Sequence, residues 1–476
     1  MTPSEIEREY SGLSLGDERL NKRARAIVAR GAASPSESFP RLLPTSGELE
    51  GAYRFFQNES VDATELWAPH RIATMERMKS EKVVRVAHDT VALSYGGERE
   101  GLGAMGSGGC GYYAQVALAV GGDEERIPLG VLGLETKAYP TVEERTKERS
   151  RRVREAKRTK SRVENAPVIW SGIEKWTTIP LRLRRKVKGP RLVHVMDREA
   201  DNYEVLAELL KHKMHFVIRG GAERRIRPTA DGHQNVEERL ASSKTLLTRK
   251  VRLAARPKPK APHPMRDERE ARLSVRSARV ALRPTEWGMQ PSQLTLNIVE
   301  VFEPNPPPGE EAINWVLLTS EPATTAEEVA EVVDHYRARW RIEEFFKALK
   351  TGCSIEKRQL TDFESLKRVL CLFLPMAWHL LVLRSHARAI PSPPASRLLS
   401  PISLTVLRAL AAQRNHALAE DPTTHQALLA IAAVGGHLKN NGEPGWITIG
   451  RGYDDLRSAI TVWQLATAPP ARSDQS

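Results

Sequence analysis

The residues best suited to chemistry lie in one short stretch, 336–350, which reads YRARWRIEEFFKALK. It contains no proline or glycine and many good helix formers, so it predicts a helix. Its polar residues recur at steps of three and four and would share one helix face; they are Tyr336, Arg339, Glu343, Lys347 and Lys350. One carboxylate among cations suggests a metal ligand beside a phosphate-binding surface, because arginine holds phosphate oxygens in pairs and lysine acts as a point charge. A solvated face with ordinary ion pairs is the alternative.

Two other acidic residues lie where a carboxylate is a poor structural choice. Asp89 stands in the middle of KVVRVAHDTVALSY, the β-like segment 82–95. Asp197 ends the apolar run at the start of RLVHVMDREADNYE, residues 191–204. Because an ionised carboxylate is costly to bury unpaired, we expect both to join Glu343 in a catalytic cluster that binds two Mg²⁺ ions, with Mn²⁺ as a substitute. Two such ions roughly 4 Å apart stabilise both the attacking and the leaving oxygen of a phosphoryl transfer.

Two neighbouring acids, Glu199 and Asp201, are alternatives to Asp197. We favour Asp197 because it follows the apolar strand directly, whereas the other two have the character of acids in the first turn of a helix. Separate surface or capping roles for the three acids remain the alternative to a cluster.

The spacing Tyr336-x2-Arg339-x3-Glu343-x6-Lys350 resembles the Y-R-E-K signature of bacterial DDE transposases of insertion-sequence family 4. Four further blocks are similar to the same family: GAYRFFQN at 51–58, HDTVALSY at 88–95, DREAD at 197–201 and NWVLLTSEP at 314–322. LGDERLNKRA at 15–24 is a looser match. The resemblance is specific, because four polar identities at fixed spacing follow two acidic motifs in the right order.

The resemblance implies a role for each matching residue. Asp89, Asp197 and Glu343 would be the metal ligands. The phosphate next to a cleaved 5′ end would be held by Tyr336, Arg339 and Lys350, with an added contact from Lys347.

Further residues match DNA-contacting positions of the family. Trp315 would stack on a flipped base, although a tryptophan in a strand usually belongs to the core. Arg219 and Arg54 would contact DNA, and a plain arginine at the edge of the core is the alternative for Arg54. His88 departs from the pattern, since it stands where the best-known relative has an acid.

Composition points to a basic protein with a polyanionic partner. The chain has 476 residues, 40% of them hydrophobic, with a formal net charge of +13. These values predict about three domains and nucleic acid as the first candidate partner. The longest apolar run, 370–383, is short for a bilayer span and suggests a buried helix. Three cysteines without metal-ligand spacing, and an N-terminus without a signal-peptide core, predict a cytoplasmic location.

The order of predicted elements suggests three parts. Residues 1–70 would form a helical DNA-binding domain, in which Asp17 caps a helix whose Arg19 and Arg23 face a DNA backbone; a solvated basic face is the alternative. Residues 71–359 would form an α/β catalytic domain with a β-rich insertion at about 225–312. The resemblance implies a ribonuclease H-like fold for it and dimerisation by the helical region 360–476.

Local patterns add three expectations. GLGAMGSGGCG at 101–111 predicts a flexible loop near the site, and 143–163 predicts a basic helix facing solvent. The prolines of 256–264 predict a turn or excursion.

The resemblance implies cut-and-paste DNA transposition. The protein would bind transposon ends, nick them, form a DNA hairpin, reopen it and join the 3′ hydroxyl to target DNA, with cleavage in trans within a homodimer. The alternatives are a metal-dependent nuclease of the same fold without strand transfer and a catalytically silent DNA-binding regulator.

Overall fold

The computed structural model describes residue 6 and residues 8–467, except for 106–108, 123–125, 148–149, 151–153, 155–172, 254, 256–264, 285–290, 389–391 and 439–442. Within this part of the chain, helices flank one mixed sheet, as expected for the α/β class. Its strands are β1 Val83–Tyr95, β2 Ala104–Met105, β3 Gly109–Gly121, β4 Ile127–Ala138, β5 Arg191–Met196, β6 His215–Gly220, β7 Thr245–Leu253, β8 Arg269–Leu282, β9 Leu294–Phe302 and β10 Asn314–Thr319.

The helices precede, interrupt and follow these strands. They are α1 Glu18–Ala33, α2 Phe39–Leu42, α3 Ser46–Gln57, α4 Ala63–Met78, α5 Ile173–Lys186, α6 Tyr203–Lys211, α7 Val236–Ala241, α8 Ala326–Arg337, α9 Trp340–Lys347, α10 Phe363–Ala387, α11 Pro401–Ala412, α12 Thr424–Val434 and α13 Trp446–Thr467. As predicted, the Asp17 side chain caps α1, where it accepts a hydrogen bond from the Arg19 amide.

The centre of the sheet has the order β4-β3-β1-β5-β6. The pairs β4–β3 and β3–β1 are antiparallel, while β1–β5 and β5–β6 are parallel. Strands β5 and β6 are short and mainly apolar, as expected for parallel strands with both faces covered. This arrangement is the one expected of a ribonuclease H-like core.

The predicted β-rich insertion extends the same sheet. Strand β10 pairs antiparallel with β6 on one side and β9 on the other, and β8 and β7 follow outward. Alternating apolar residues in β8 and β9 explain this placement, because one face of each strand packs in the core.

The N-terminal and C-terminal helices share one hydrophobic cluster with β1 and β3. Its centre is α10, whose 25 residues make it long and apolar enough to cross a membrane. Most of that helix is buried against α4, β4, α12 and other elements of the protein. The division into three domains therefore stays a prediction, while the expectation of a buried apolar helix agrees with the structure.

One predicted helix is interrupted. The stretch 336–350 is not continuous: α8 ends at Arg337, α9 begins at Trp340, and a wider π turn covers Ala348–Gly352. Amides 338 and 339 bond to carbonyls three residues back, Ala338 to His335 at 3.1 Å and Arg339 to Tyr336 at 3.0 Å. Such a tightened turn redirects the helix axis, which helix propensity alone does not reveal.

Three other expectations need correction or lie outside the described residues. The glycine-rich stretch is not only a loop, because β2 pairs with the start of β3 within it; residues 106–108 are outside the described part. Residues 142–147 are helical, but most of the basic segment 143–163 is not described. The proline-rich segment 256–264 lies outside as well.

Candidate active site

Asp89, in β1, and Asp197, directly after the neighbouring parallel strand β5, lie side by side. In the register of β1 and β5, Ala87 pairs with Val195, and each acid comes two residues later. Side chains two residues apart in a strand point to the same face, and neighbouring strands are about 4.8 Å apart. The fold thus brings together two acids separated by more than a hundred residues of sequence.

Glu343 reaches the same place through Arg339. The Arg339 guanidinium donates from Nη1 to Asp89 Oδ2 at 3.0 Å and from Nη2 to Glu343 Oε1. The buried side chains of Ile342 and Phe345 hold α9 against the core, which leaves Glu343 on its outer face. Arg339 therefore bridges two acids of the predicted cluster.

Burial and mutual repulsion disfavour the charged form of the two aspartates. Burial raises the pKa of Asp89, although Arg339 opposes the shift. Burial, followed by the charge of Asp89, raises the pKa of Asp197 to about 6. Because this pKa is raised, folding stability falls as pH rises from about 4 to 6 and stays lower above that range, a cost that a bound cation would offset.

The two alternatives to Asp197 have other partners. Asp201 forms an ion pair with Arg224 at 2.5 Å and accepts the Gly221 amide at 3.0 Å, so it fixes the chain after β6. Glu199 pairs with Lys175 at 2.5 Å and its side chain is 66% exposed. Its charge still raises the pKa values of Asp89 and Asp197, which places Glu199 at the rim of the cluster.

An aromatic pair borders the acids. The rings of Trp315 and Tyr336 meet edge to face with centroids 5.7 Å apart, and the Arg219 guanidinium lies 5.9 Å from the Trp315 ring centroid. Burial raises the pKa of the Tyr336 phenol, while Arg339 and Arg219 oppose that shift. Trp315 is half-buried against the core, so part of its ring remains accessible. The structure thus places Trp315, Tyr336 and Arg219 together beside Arg339.

The two lysines of the signature are placed differently. Lys350 Nζ lies 3.1 Å from Glu356 Oε1, and this oxygen also accepts the Ser94 amide of β1 at 2.8 Å. Lys347 is exposed, with Nζ 5.7 Å from the Trp340 ring centroid. Sequence reasoning missed Glu356; its only signal was a carboxylate six residues after Lys350.

The N-terminal arginines lie on α1 and α3, and no described contact joins them to the acids. Arg19 is 93% exposed and pairs with Asp17, and Arg54 is 76% exposed near Glu50. Arg23 packs over Gly51, where a Cβ would lie 2.5 Å from the guanidinium carbon. Arg19 and Arg54 are thus exposed on helices that are separate from the acid cluster.

His88 points away from the acids, because neighbours in a strand face opposite sides of the sheet. It is fully buried, and its Nε2 lies 2.8 Å from Nδ1 of His194. Burial and His194 lower the pKa of His88 well below its ordinary value, so the imidazole is neutral at neutral pH. His88 therefore adds no charge to the site.

The donor set fits a hard divalent cation, which takes carboxylate oxygens. Among the residues described, no three His, Cys, Asp or Glu side chains are already arranged around a common metal position. Instead, Arg339 supplies the positive charge between Asp89 and Glu343. Asp89, Asp197 and Glu343 are the residues that would hold a metal.

Two protein families match this chain. The Transposase DNA-binding family matches residues 4–61, and the Transposase DDE domain family matches residues 178–374. The second match contains Asp197, Glu343 and the signature but begins after Asp89, whose place rests on the strand register. Domains of this second family depend on divalent cations for activity.

A solved structure is also similar, described as a cryo-EM structure of a piggyBac transposase synaptic complex with hairpin DNA. The sequences are 10% identical, the alignment covers 99% of this chain and 80% of that one, and the TM-score of 0.32 is too low to show a shared fold. The family matches carry the assignment: this chain combines a transposase DNA-binding domain with a transposase DDE domain, and it is a DDE transposase.

Proposed function

We propose that this enzyme is a cut-and-paste transposase of insertion-sequence family 4. It cleaves DNA at transposon ends through nicking and a hairpin, and it transfers the 3′-hydroxyl ends to target DNA. The observation that carries the proposal is the Arg339 bridge between Asp89 and Glu343, with Asp197 beside them. A cluster of acids and a phosphate-binding cation in one place is what phosphodiester cleavage requires.

Each residue of the cluster has a separate task in this proposal. Asp89, Asp197 and Glu343 bind two Mg²⁺ ions, which when bound stabilise charge on the attacking and leaving oxygens. Arg339, Tyr336 and Lys350 hold the phosphate at the cleaved 5′ end, with Lys347 at the margin. Arg339 suits that task because its guanidinium already lies among the acids and can pair with phosphate oxygens.

Trp315 stabilises the DNA hairpin in this proposal by stacking on an unpaired base. Its half-buried ring lies beside Tyr336 and Arg219, close to Arg339, and an exposed aromatic surface can stack on an unpaired base. Such a stack offsets part of the cost of unstacking the DNA as the strand bends back.

The partners are double-stranded DNA, as transposon ends and as target, and a second copy of this chain in the synaptic complex. The exposed α1 and α3 arginines support contact with end DNA. The C-terminal helix α13 leaves Val462 65% and Trp463 47% exposed, which supports pairing of protomers through that region. DNA cleavage and strand transfer would take place in the bacterial cytoplasm.

The experiment is a time course of nicked, hairpin and released products on the inverted repeats that flank the gene. Trp315→Ala should still nick, but hairpin formation should slow roughly 5- to 150-fold, since one stack is worth about 1–3 kcal/mol. Trp315→Phe keeps an aromatic surface and should recover much of that step.

Two other results would overturn parts of the proposal. Equal loss of every product with a lowered melting temperature would make Trp315 a core residue, since its truncation would cost about 3–5 kcal/mol of stability. Cleavage without hairpin or joined product in the wild type would favour a plain nuclease, and binding without cleavage would favour a regulator.

A further inference from the structure

A second charged cleft lies at the N-terminal end of β1, whereas Asp89 lies in the middle of that strand. Its volume is about 910 Å³. It is lined by residues 80–83, Arg85, Arg126, Arg249 of β7 and the Glu331, Asp334 and Arg337 face of α8. Along β1, the lining residues Val83 and Arg85 precede Asp89 by six and four residues, distances of roughly 20 and 13 Å. The cleft is therefore separate from the cluster of Asp89, Asp197 and Glu343.

Cations outnumber acids in this cleft. Three guanidiniums converge on the single carboxylate of Asp334: Arg249 at 3.0 Å, Arg337 at 3.0 Å and Arg126 at 3.6 Å. One carboxylate offsets one of these charges. The whole lining has five cationic side chains against three acids, and one of these acids, Glu331, also pairs with Arg191 at 3.0 Å. The cleft thus holds positive charge that its own acids do not neutralise.

The backbone of Arg126 has a strained conformation in this cluster of charged side chains. Its φ of +47° lies in the left-handed region, which costs a residue other than glycine about 1 kcal/mol or more. Its Nε is buried and has no hydrogen-bond partner among the described residues. Burial lowers the pKa of Arg126, and repulsion from the neighbouring arginines, Arg337 first, lowers it further, while Asp334 opposes the shift. An anion in the cleft would relieve that repulsion and accept a bond from Nε.

We propose that this cleft binds phosphate groups, and that they belong to the backbone of DNA outside the cleavage site. Guanidiniums in a cluster match phosphate oxygens, which accept paired hydrogen bonds. The described lining contains no aromatic side chain, so it offers no surface for stacking a base. Contact there would be independent of sequence and would position the duplex. A free phosphate compound is the other source of the same chemistry.

The test compares Arg126→Gln and Arg249→Gln with a matched control. The control is Lys250→Gln, because Lys250 neighbours Arg249 on β7, faces the other side and pairs with Glu270 at 3.0 Å. Binding of a short DNA duplex to the full chain is followed by fluorescence anisotropy over a range of salt. Each lost phosphate contact should make the log–log slope less negative by about 0.9. We expect the slope to change by this amount in both arginine variants and by less than half of this amount in Lys250→Gln.

Calorimetric titration with inorganic pyrophosphate forms the second arm, with weaker binding expected in the same two variants. Arg126→Gly guards against misfolding, because glycine adopts a φ of +47° without strain while losing the guanidinium. Loss of pyrophosphate binding with an unchanged salt slope would keep the phosphate site but overturn DNA as its ligand. Unchanged slope and unchanged pyrophosphate binding would overturn the proposal. Neither arm uses cleavage, so the result is independent of the proposed catalytic roles.

Discussion

Replacing Arg339 with glutamine tests the electrostatic design of the site. The substitution removes two charge-assisted hydrogen bonds, to Asp89 and Glu343, and leaves these two acids without their bridging cation. Such bonds contribute about 1.5–3 kcal/mol each. The side chains of Arg339, Asp89 and Glu343 are 14%, 18% and 28% exposed, and this partial contact with water favours the lower end of that energy range. We expect Arg339→Gln to destabilise the metal-free protein by about 3 kcal/mol at pH 8.

The loss should shrink as pH falls. Arg339 stabilises the ionised acids, so its contribution is present above their pKa values and disappears as they become protonated. Burial and Asp89 raise the pKa of Asp197 to about 6, so protonation begins to relieve the unpaired charge below that pH. We therefore expect a smaller destabilisation at pH 5 than at pH 8.

Mg²⁺ should compensate for the missing guanidinium, because both supply positive charge to the same carboxylates. Melting temperatures are measured with Mg²⁺ and with a chelator. An unfolding entropy of about 1 kcal/mol per kelvin for a chain of this length makes 3 kcal/mol equal to about 3 °C. We expect Mg²⁺ to raise the melting temperature of Arg339→Gln by most of that difference and to raise the melting temperature of the wild type by less.

Arg341→Gln is the matched control, since Arg341 is two residues away and pairs with Glu344 at 2.8 Å. It should lose stability without recovery by Mg²⁺. Equal recovery in both variants, or none in Arg339→Gln, would refute the reasoning.

Two further predictions follow from buried or tethered carboxylates. Glu356→Gln keeps an acceptor for the Ser94 amide but removes the ion pair that holds Lys350. Measured by fluorescence anisotropy, 5′-phosphorylated end DNA should bind this variant up to about fivefold more tightly and should bind Lys350→Gln more weakly. Unchanged binding in both variants would remove Lys350 from the phosphate site. Burial raises the pKa of Asp454 to about 7, so the native state binds more protons than the unfolded state and stability falls as pH rises from about 4 to 7. This loss amounts to about 4 kcal/mol, and Asp454→Asn should remove most of it when the free energy of unfolding is measured in urea at each pH. An unchanged pH profile would contradict the raised pKa of Asp454.

The parts of the site that depend on local pattern were predictable from sequence. Asp89 lies in a strand and Asp197 ends one, as their apolar neighbours indicated. Asp17 caps α1, as its position before the helix indicated. These features depend on residues close in sequence, where periodicity and capping chemistry are informative.

The parts that depend on tertiary contacts were not predictable. Nothing in the local sequence showed the break between α8 and α9 that turns Arg339 toward Asp89. The pairing of buried His88 with His194 and the tether of Lys350 by Glu356 join residues from separate elements. The Arg126 cluster likewise draws on several elements of the chain. Without the fold, these charges cannot be assigned partners.

The central claim is that Asp89, Asp197 and Glu343 form one metal-dependent site for DNA cleavage. The most direct measurement follows cleavage and binding of the same end DNA, with Mg²⁺, for the wild type and for Asp89→Ala, Asp197→Ala and Glu343→Ala. The account predicts that each variant binds within a few fold of the wild type and cleaves nothing detectable. Cleavage that survives in any one variant, at unchanged binding, would remove that acid from the cluster and contradict the account.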